Sequence, residues 1–138
     1  MLRTLATLWF AASAFAATTL KDCAPGTSVF RLDAAKLTPA DPAPGDFVDL
    51  TLSYTVPDFV TIFEGTAEYD VSVNYIPMSP YTEPLCQNVP CPVREGTYTN
   101  TTRSTWPTGL HGLLVNKMIW KAAAGDTLLC LQITTKFA

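Results

Sequence analysis

An all-β fold of two packed antiparallel sheets is what this sequence predicts, and three observations carry the prediction. First, two long segments alternate residue by residue between apolar and polar side chains. From Phe47 to Val56, Val48, Leu50, Leu52, Tyr54 and Val56 interleave with Asp49, Thr51, Ser53 and Thr55; from Ala67 to Tyr75, Ala67, Tyr69, Val71, Val73 and Tyr75 interleave with Glu68, Asp70, Ser72 and Asn74. Period-two alternation of this length describes strands with one wet and one buried face, which antiparallel sheets tolerate. Second, turn signals recur between apolar runs: Pro42-Ala43-Pro44-Gly45, Pro57-Asp58, Pro77 to Pro84, Trp106-Pro107-Thr108-Gly109 and Ala124-Gly125-Asp126. Third, only 15% of residues are charged and eleven are proline, a balance that disfavours helix.

Taken in chain order, the first residues stand apart. Arg3 supplies a positive start, residues 5–15 form a short apolar run, and Ala14-Phe15-Ala16 is a small-x-small cleavage site. Residues 1–16 are therefore expected to be a signal peptide and 17–138 a single domain. The apolar run falls far short of the ~20 residues a membrane-spanning helix needs. Besides the two alternating segments, strands are expected over 28–32, 60–64, 97–103, 113–121 and 128–137. The stretch 113–130 has some helical spacing of apolar residues, but its β-branched residues and the Ala-Gly-Asp turn predict a hairpin.

Composition excludes more chemistry than it suggests. The chain carries a formal charge of −3, and −4 once Arg3 is removed, which argues against a nucleic-acid partner. His111 is the one histidine, so no site needing two imidazoles can form. No nucleophile elbow, phosphate-cradling glycine loop or acidic metal cluster is present, so neither an enzyme, a cofactor nor a metal is expected. The four cysteines, Cys23, Cys86, Cys91 and Cys130, lie in an oxidising route if the chain is secreted, and disulfides are favoured over zinc. Three pairings are open; one of them, Cys86–Cys91, closes a Pro-containing turn and leaves Cys23 to meet Cys130.

These residues carry a resemblance. Asp22-Cys23, an alternating strand ending in Ile76-Pro77-Met78, Leu85-Cys86-x4-Cys91-Pro92-Val93-x-x-Gly96, a Trp-Pro step and a final strand with Leu128-Leu129-Cys130 are similar to the ML lipid-recognition family, which includes the Niemann–Pick type C sterol-transfer protein and group 2 mite allergens. The resemblance covers about residues 22–137. It implies an immunoglobulin-like β-sandwich with an intersheet apolar cavity, bridges Cys23–Cys130 and Cys86–Cys91, and a lipid ligand. A third bridge found in many members has no counterpart here; residues 37–44 offer only a proline-rich loop. The resemblance places Met78 at the pocket mouth and a second gate position near His111.

On that reading the cavity walls are Leu50, Leu52, Tyr54, Tyr69, Val71, Val73, Tyr75, Leu129, Leu131 and Ile133. The rim comprises Ile76, Pro77, Met78, Trp106, Pro107 and His111, on loops 76–86 and 105–112. Burial of apolar ligand surface, at ~25 cal/mol per Å², would supply the binding energy without catalytic groups. A filled core would use the same wall residues, and Trp120 reads as core. Asn100-Thr101-Thr102 is an N-glycosylation sequon, accessible if Asn100 points outward on its strand. The expected function is a lipid carrier in the secretory pathway, secreted or lumenal to a lysosome or vacuole, holding a sterol, phospholipid or acyl chain and exchanging it with a membrane or membrane receptor. The alternative is an extracellular protein-recognition module on the same scaffold.

Overall fold

The computed structural model describes residues 18–137; the expected signal peptide, residues 1–16, lies outside them. Nine strands form two antiparallel sheets: β1 (Thr18–Asp22), β2 (Arg31–Thr38), β3 (Phe47–Val56), β4 (Gly65–Val73), β5 (Ile76–Pro77), β6 (Tyr81–Pro84), β7 (Gly96–Thr105), β8 (Gly112–Ala122) and β9 (Thr127–Phe137). The larger sheet runs β1-β9-β8-β4-β5, with β6 also paired to β4, and the smaller runs β2-β3-β7.

The alternating segments become β3 and β4, each central in its sheet. In β3 the apolar set faces inward, with Val48, Leu52, Tyr54 and Val56 buried. Its polar set faces outward, where hydroxyl pairs Thr51–Thr101, Ser53–Thr99 and Thr55–Thr97 link it to β7. Asp49 and Arg103 extend that ladder with hydrogen bonds of 2.9 and 3.2 Å. The β8–β9 pair is the expected hairpin, in register from Gly112↔Phe137 to Lys121↔Thr127.

Four expectations are corrected by the backbone. Strand β2 starts three residues later than expected and extends to Thr38, because Val29 and Phe30 bond to Thr127 and Leu128 of β9 before the chain crosses to the smaller sheet. A bulge between Leu32 and Ala34 breaks the alternation that would have revealed it. Residues 60–64 form only an isolated bridge, Ile62↔Val93, since no strand lies beside them. The stretch from Pro77 to Pro84, expected as a turn, supplies β5 and β6, edge strands where proline is tolerated. Tyr75 does not continue the inner face of β4: Asn74 and Tyr75 both have positive φ (51° and 67°), closing a tight hairpin that leaves Tyr75 86% exposed. Strand β1, which no expectation covered, completes the larger sheet against β9.

Two apolar clusters join the sheets. One gathers Phe30, Leu52, Tyr54, Leu85, Val89, Trp120 and Leu129, with Phe30 and Tyr98 stacked on Tyr54 and Trp120 edge-on to it at 5.3 Å. The other gathers Leu37, Val48, Trp106, Leu114 and Phe137. Two disulfides are present, Cys23–Cys130 between the entrance of the domain and its last strand, and Cys86–Cys91 around the short helical turn Leu85–Gln87.

The bridges close loops of very different length, spanning 107 and 5 residues. Chain-entropy reasoning assigns ~5 kcal/mol to the long loop and ~2 kcal/mol to the short one, as upper values. Denaturant titration should therefore show Cys23→Ala/Cys130→Ala to be the more destabilised of the two double variants. A second expectation concerns Gly112, whose φ is +89° and whose missing Cβ would overlap the Asn74 amide. That amide bonds the His111 carbonyl at 3.0 Å and the Leu113 N–H at 2.9 Å, fastening the hairpin to the start of β8. Gly112→Ala should cost more than ~1 kcal/mol in the same titration.

Candidate functional site

Between the two apolar clusters the sheets do not close. A cavity of about 410 Å³ lies there, lined by Leu37, Leu50, Tyr69, Tyr81, Glu83, Asn88, Thr102, Arg103, Ser104, Trp106, Asn116, Met118 and Ile133. A narrow extension of about 20 Å³ continues it toward Leu52, Asn100 and Trp120. Cavities of ~300–1,000 Å³ commonly hold small organic ligands.

Register explains how the walls form. In the larger sheet Tyr69, Met118 and Leu131 are neighbours across β4, β8 and β9, and Val71, Asn116 and Ile133 form the next row. In the smaller sheet Leu50 pairs with Thr102 and Val48 with Ser104, so the same inward face that begins apolar on β3 turns polar on β7. Leu37 faces Leu50 from β2. The cavity is thus apolar on its inner walls and polar where the edges of β6 and β7 approach one another.

That polar margin is organised around Glu83. Its Oε1 accepts hydrogen bonds from the Tyr69 hydroxyl at 3.1 Å and the Asn88 amide at 2.8 Å, while Oε2 accepts from the Tyr81 hydroxyl at 3.2 Å. These donors, Asn88 foremost, hold the carboxyl below its ordinary range against the opposing cost of partial desolvation. Burial, and then the neighbouring Glu83 charge, push the Tyr69 hydroxyl up to about 12, so it remains a donor at neutral pH. Asn88 also accepts a 3.2 Å bond on its carbonyl from the Asn100 side chain of β7. The chain Glu83–Asn88–Asn100 forms a hydrogen-bonded strap from the edge of one sheet to the edge of the other. Asn88 sits in the loop closed by Cys86–Cys91, where buried Leu85 and Val89 anchor it in the core.

The residues expected at the site divide into three groups. Tyr69, Trp106 and Ile133, together with Leu50, line the cavity, and Leu52 lines its extension. Tyr54, Leu129 and Leu131 are buried in the first apolar cluster, whereas Val71 and Val73 pack on the second. The expected rim residues other than Trp106 lie elsewhere. The β4–β5 hairpin turns Tyr75, Ile76 and Met78 out to solvent, and Met78 N–H bonds the Val71 carbonyl at 2.8 Å. Pro77 and Met78 instead border a groove of about 520 Å³ with Glu68, Asp70, Lys117 and Gln132. Though larger, that groove carries Glu68, Asp70 and Lys117 in its lining beside Val71 and Val115, which suits an apolar chain less well. Pro107 is half-buried and His111 exposed, and neither lines the intersheet cavity.

Asn100 faces between the sheets beside Leu52 rather than outward, so the orientation on which its accessibility as a glycosylation acceptor depended is not adopted. Several lining residues were not anticipated: Leu37, Tyr81, Glu83, Asn88, Thr102, Ser104, Asn116 and Met118. Asn116 was legible in principle, as the polar member of the inward row Leu114, Asn116, Met118, Trp120 on β8. The strap was not, because it depends on which two sheet edges meet.

Solved structures with a similar fold are known. A Niemann-Pick type C2 protein from Japanese carpenter ant matches with a TM-score of 0.67 at 14% identity, over 87% of this chain and 99% of that one. Chicken MD-1, crystallised in complex with lipid IVa, matches with a TM-score of 0.61 at 16% identity, over 87% of this chain and 88% of that one. Among curated proteins, no sequence matches. The family model for the ML domain matches residues 17–137, nearly the whole chain. With an immunoglobulin-like sandwich of two antiparallel sheets and a family match of that extent, the chain belongs to the ML-domain family.

Proposed function

We propose that this chain is a lipid-binding carrier of the secretory pathway, which takes a sterol, phospholipid or acyl chain between its sheets and hands it to a membrane or membrane receptor. The observation that carries the reading is the 410 Å³ intersheet cavity, walled by Leu37, Leu50, Trp106, Met118 and Ile133 and opening at the β6–β7 margin. Membership of the ML-domain family supports it, as does the lipid IVa bound by chicken MD-1. Two disulfides suit a secreted or lumenal compartment. Binding is partition: each Å² of apolar ligand surface leaving water contributes ~25 cal/mol, and no bond is made or broken. Tyr75, Ile76 and Met78 at the exposed hairpin supply apolar side chains for contact with a donor or acceptor bilayer.

Native mass spectrometry of the purified protein tests the reading directly, with a co-purifying lipid as the expected result. Displacement of a fluorescent sterol by added lipid is the second arm. A protein with no lipid in either arm would overturn the carrier and leave a recognition scaffold. Ser104→Trp places a bulky ring at the cavity margin on an exposed edge strand. It should lower lipid affinity at least ~10-fold, a loss of 1.4 kcal/mol or more, with an unchanged melting curve.

The Glu83 strap predicts a pH dependence. Because the folded carboxyl is depressed, its stabilising hydrogen bonds are complete above the unfolded value, ~4.3, and vanish as pH falls through the folded value. Release of a bound fluorescent lipid, followed by stopped flow, should accelerate as the pH falls through that depressed folded value, below the ordinary carboxylate range. Glu83→Gln should release lipid faster at neutral pH and lack the acid step.

A further inference from the structure

Three buried side-chain polar atoms have no hydrogen-bond partner among the described residues: Trp106 Nε1, Asn116 Oδ1 and Trp120 Nε1. All three belong to residues that line the cavity or its extension. Buried polar groups are otherwise paired in folded proteins, and an unpaired one costs free energy comparable to a lost hydrogen bond. Their occurrence along one cavity calls for a cause, and packing offers none. Leucine in place of Asn116 would complete the apolar row of Leu114, Met118 and Trp120 on β8.

Two of the three lie toward the same end of the cavity. Trp106 belongs to the second apolar cluster, and the neighbours of Asn116 in register, Val71 and Ile133, pack on that cluster. One atom is a donor and the other an acceptor. Resting on the carrier reading above, we propose that Asn116 and Trp106 form an internal polar anchor for an uncharged lipid bearing a hydroxyl, which donates to Asn116 Oδ1 and accepts from Trp106 Nε1–H. A hydroxyl is the smallest group that does both.

The charges around the cavity argue for a neutral head. Arg103 is committed to Asp49 through two hydrogen bonds on the outer face of the smaller sheet. The remaining charged lining residue is Glu83, a carboxylate that repels anions. An ionised carboxylate or phosphate brought between the sheets would meet an unpaired acceptor and no free cation, an expensive burial. A hydroxyl meets neither obstacle and pairs both orphaned atoms.

The test compares 1-dodecanol with dodecyl methyl ether as competitors for bound N-phenyl-1-naphthylamine, a neutral fluorescent probe. The ether keeps the chain and the acceptor oxygen but cannot donate. In the unaltered protein the alcohol should displace the probe about tenfold more effectively, as one hydrogen bond to an otherwise unpaired buried atom predicts. Asn116→Leu, close in shape, should abolish the advantage of the alcohol over the ether. Trp106→Phe, which removes the indole N–H, should weaken both oxygen ligands more than it weakens the probe. Equal displacement by alcohol and ether, or a preference that survives Asn116→Leu, would overturn the anchor while leaving an apolar lipid cavity in place. Failure of both ligands to displace the probe would overturn the cavity reading and the anchor with it.

Discussion

The separation of the two sheets depends on a pair of aromatic struts, and the remainder of the molecule follows from where those struts stand. Tyr54 and Trp120, in edge contact at 5.3 Å, hold the sheets together at one end. Trp106 and Phe137, 6.5 Å apart, hold them at the other. Rings of this size set an intersheet distance that shorter side chains such as Leu50, Met118 and Ile133 do not span fully. A sandwich with one continuous core would close; supported at its two ends, this one keeps a void between them.

Holding such a void open has consequences at the margin. The edges of β6 and β7 would expose unpaired backbone if left bare. Here Glu83, Asn88 and Asn100 bridge them by hydrogen bonds, and Thr102 and Ser104 give the opening a wet lining. The Cys86–Cys91 loop presents Asn88 at the meeting point, with Leu85 and Val89 anchoring it below. The two bridges therefore differ in what they constrain. Cys23–Cys130 fastens the chain's entry to its last strand, and Cys86–Cys91 shapes the local segment from which the strap departs.

How much of this could be read beforehand follows from the range of each interaction. Strand β3 was legible to the residue and β4 within two residues, because their inner faces are written as local alternation; β7, β8 and β9 were placed as closely by the turn signals that separate them. Strand β2 was displaced because the bulge at Asp33 and the crossing at Val29 and Phe30 interrupt the pattern. The β4–β5 hairpin was missed because two non-glycine residues, Asn74 and Tyr75, adopt positive φ there. That one turn moved Tyr75, Ile76 and Met78 from the expected wall and rim to solvent. The inner walls at Leu50, Tyr69 and Ile133 were anticipated from side-chain alternation, whereas Trp106, expected at the rim, also lines the cavity. The polar margin was not anticipated, since the bond between Asn88, in the loop between β6 and β7, and Asn100 of β7 forms only where two sheet edges meet. Asn116 shows the limit from the other side: its position in the β8 row was visible, but its unpaired oxygen is a property of the folded interior.

The division of the apolar interior into two clusters carries an evolutionary consequence. Residues that hold the fold, such as Tyr54, Leu129 and Phe137, are largely distinct from residues that face the void, such as Leu50, Asn116 and Ile133. Substitutions at the second set change the volume and polarity of a space already bounded by the first, so they escape much of the overpacking and cavity cost that a continuous core imposes. Selection can then alter what the chain accepts without first restoring its stability. Preservation of the sandwich at 14–16% identity to its solved relatives is what such a separation would permit.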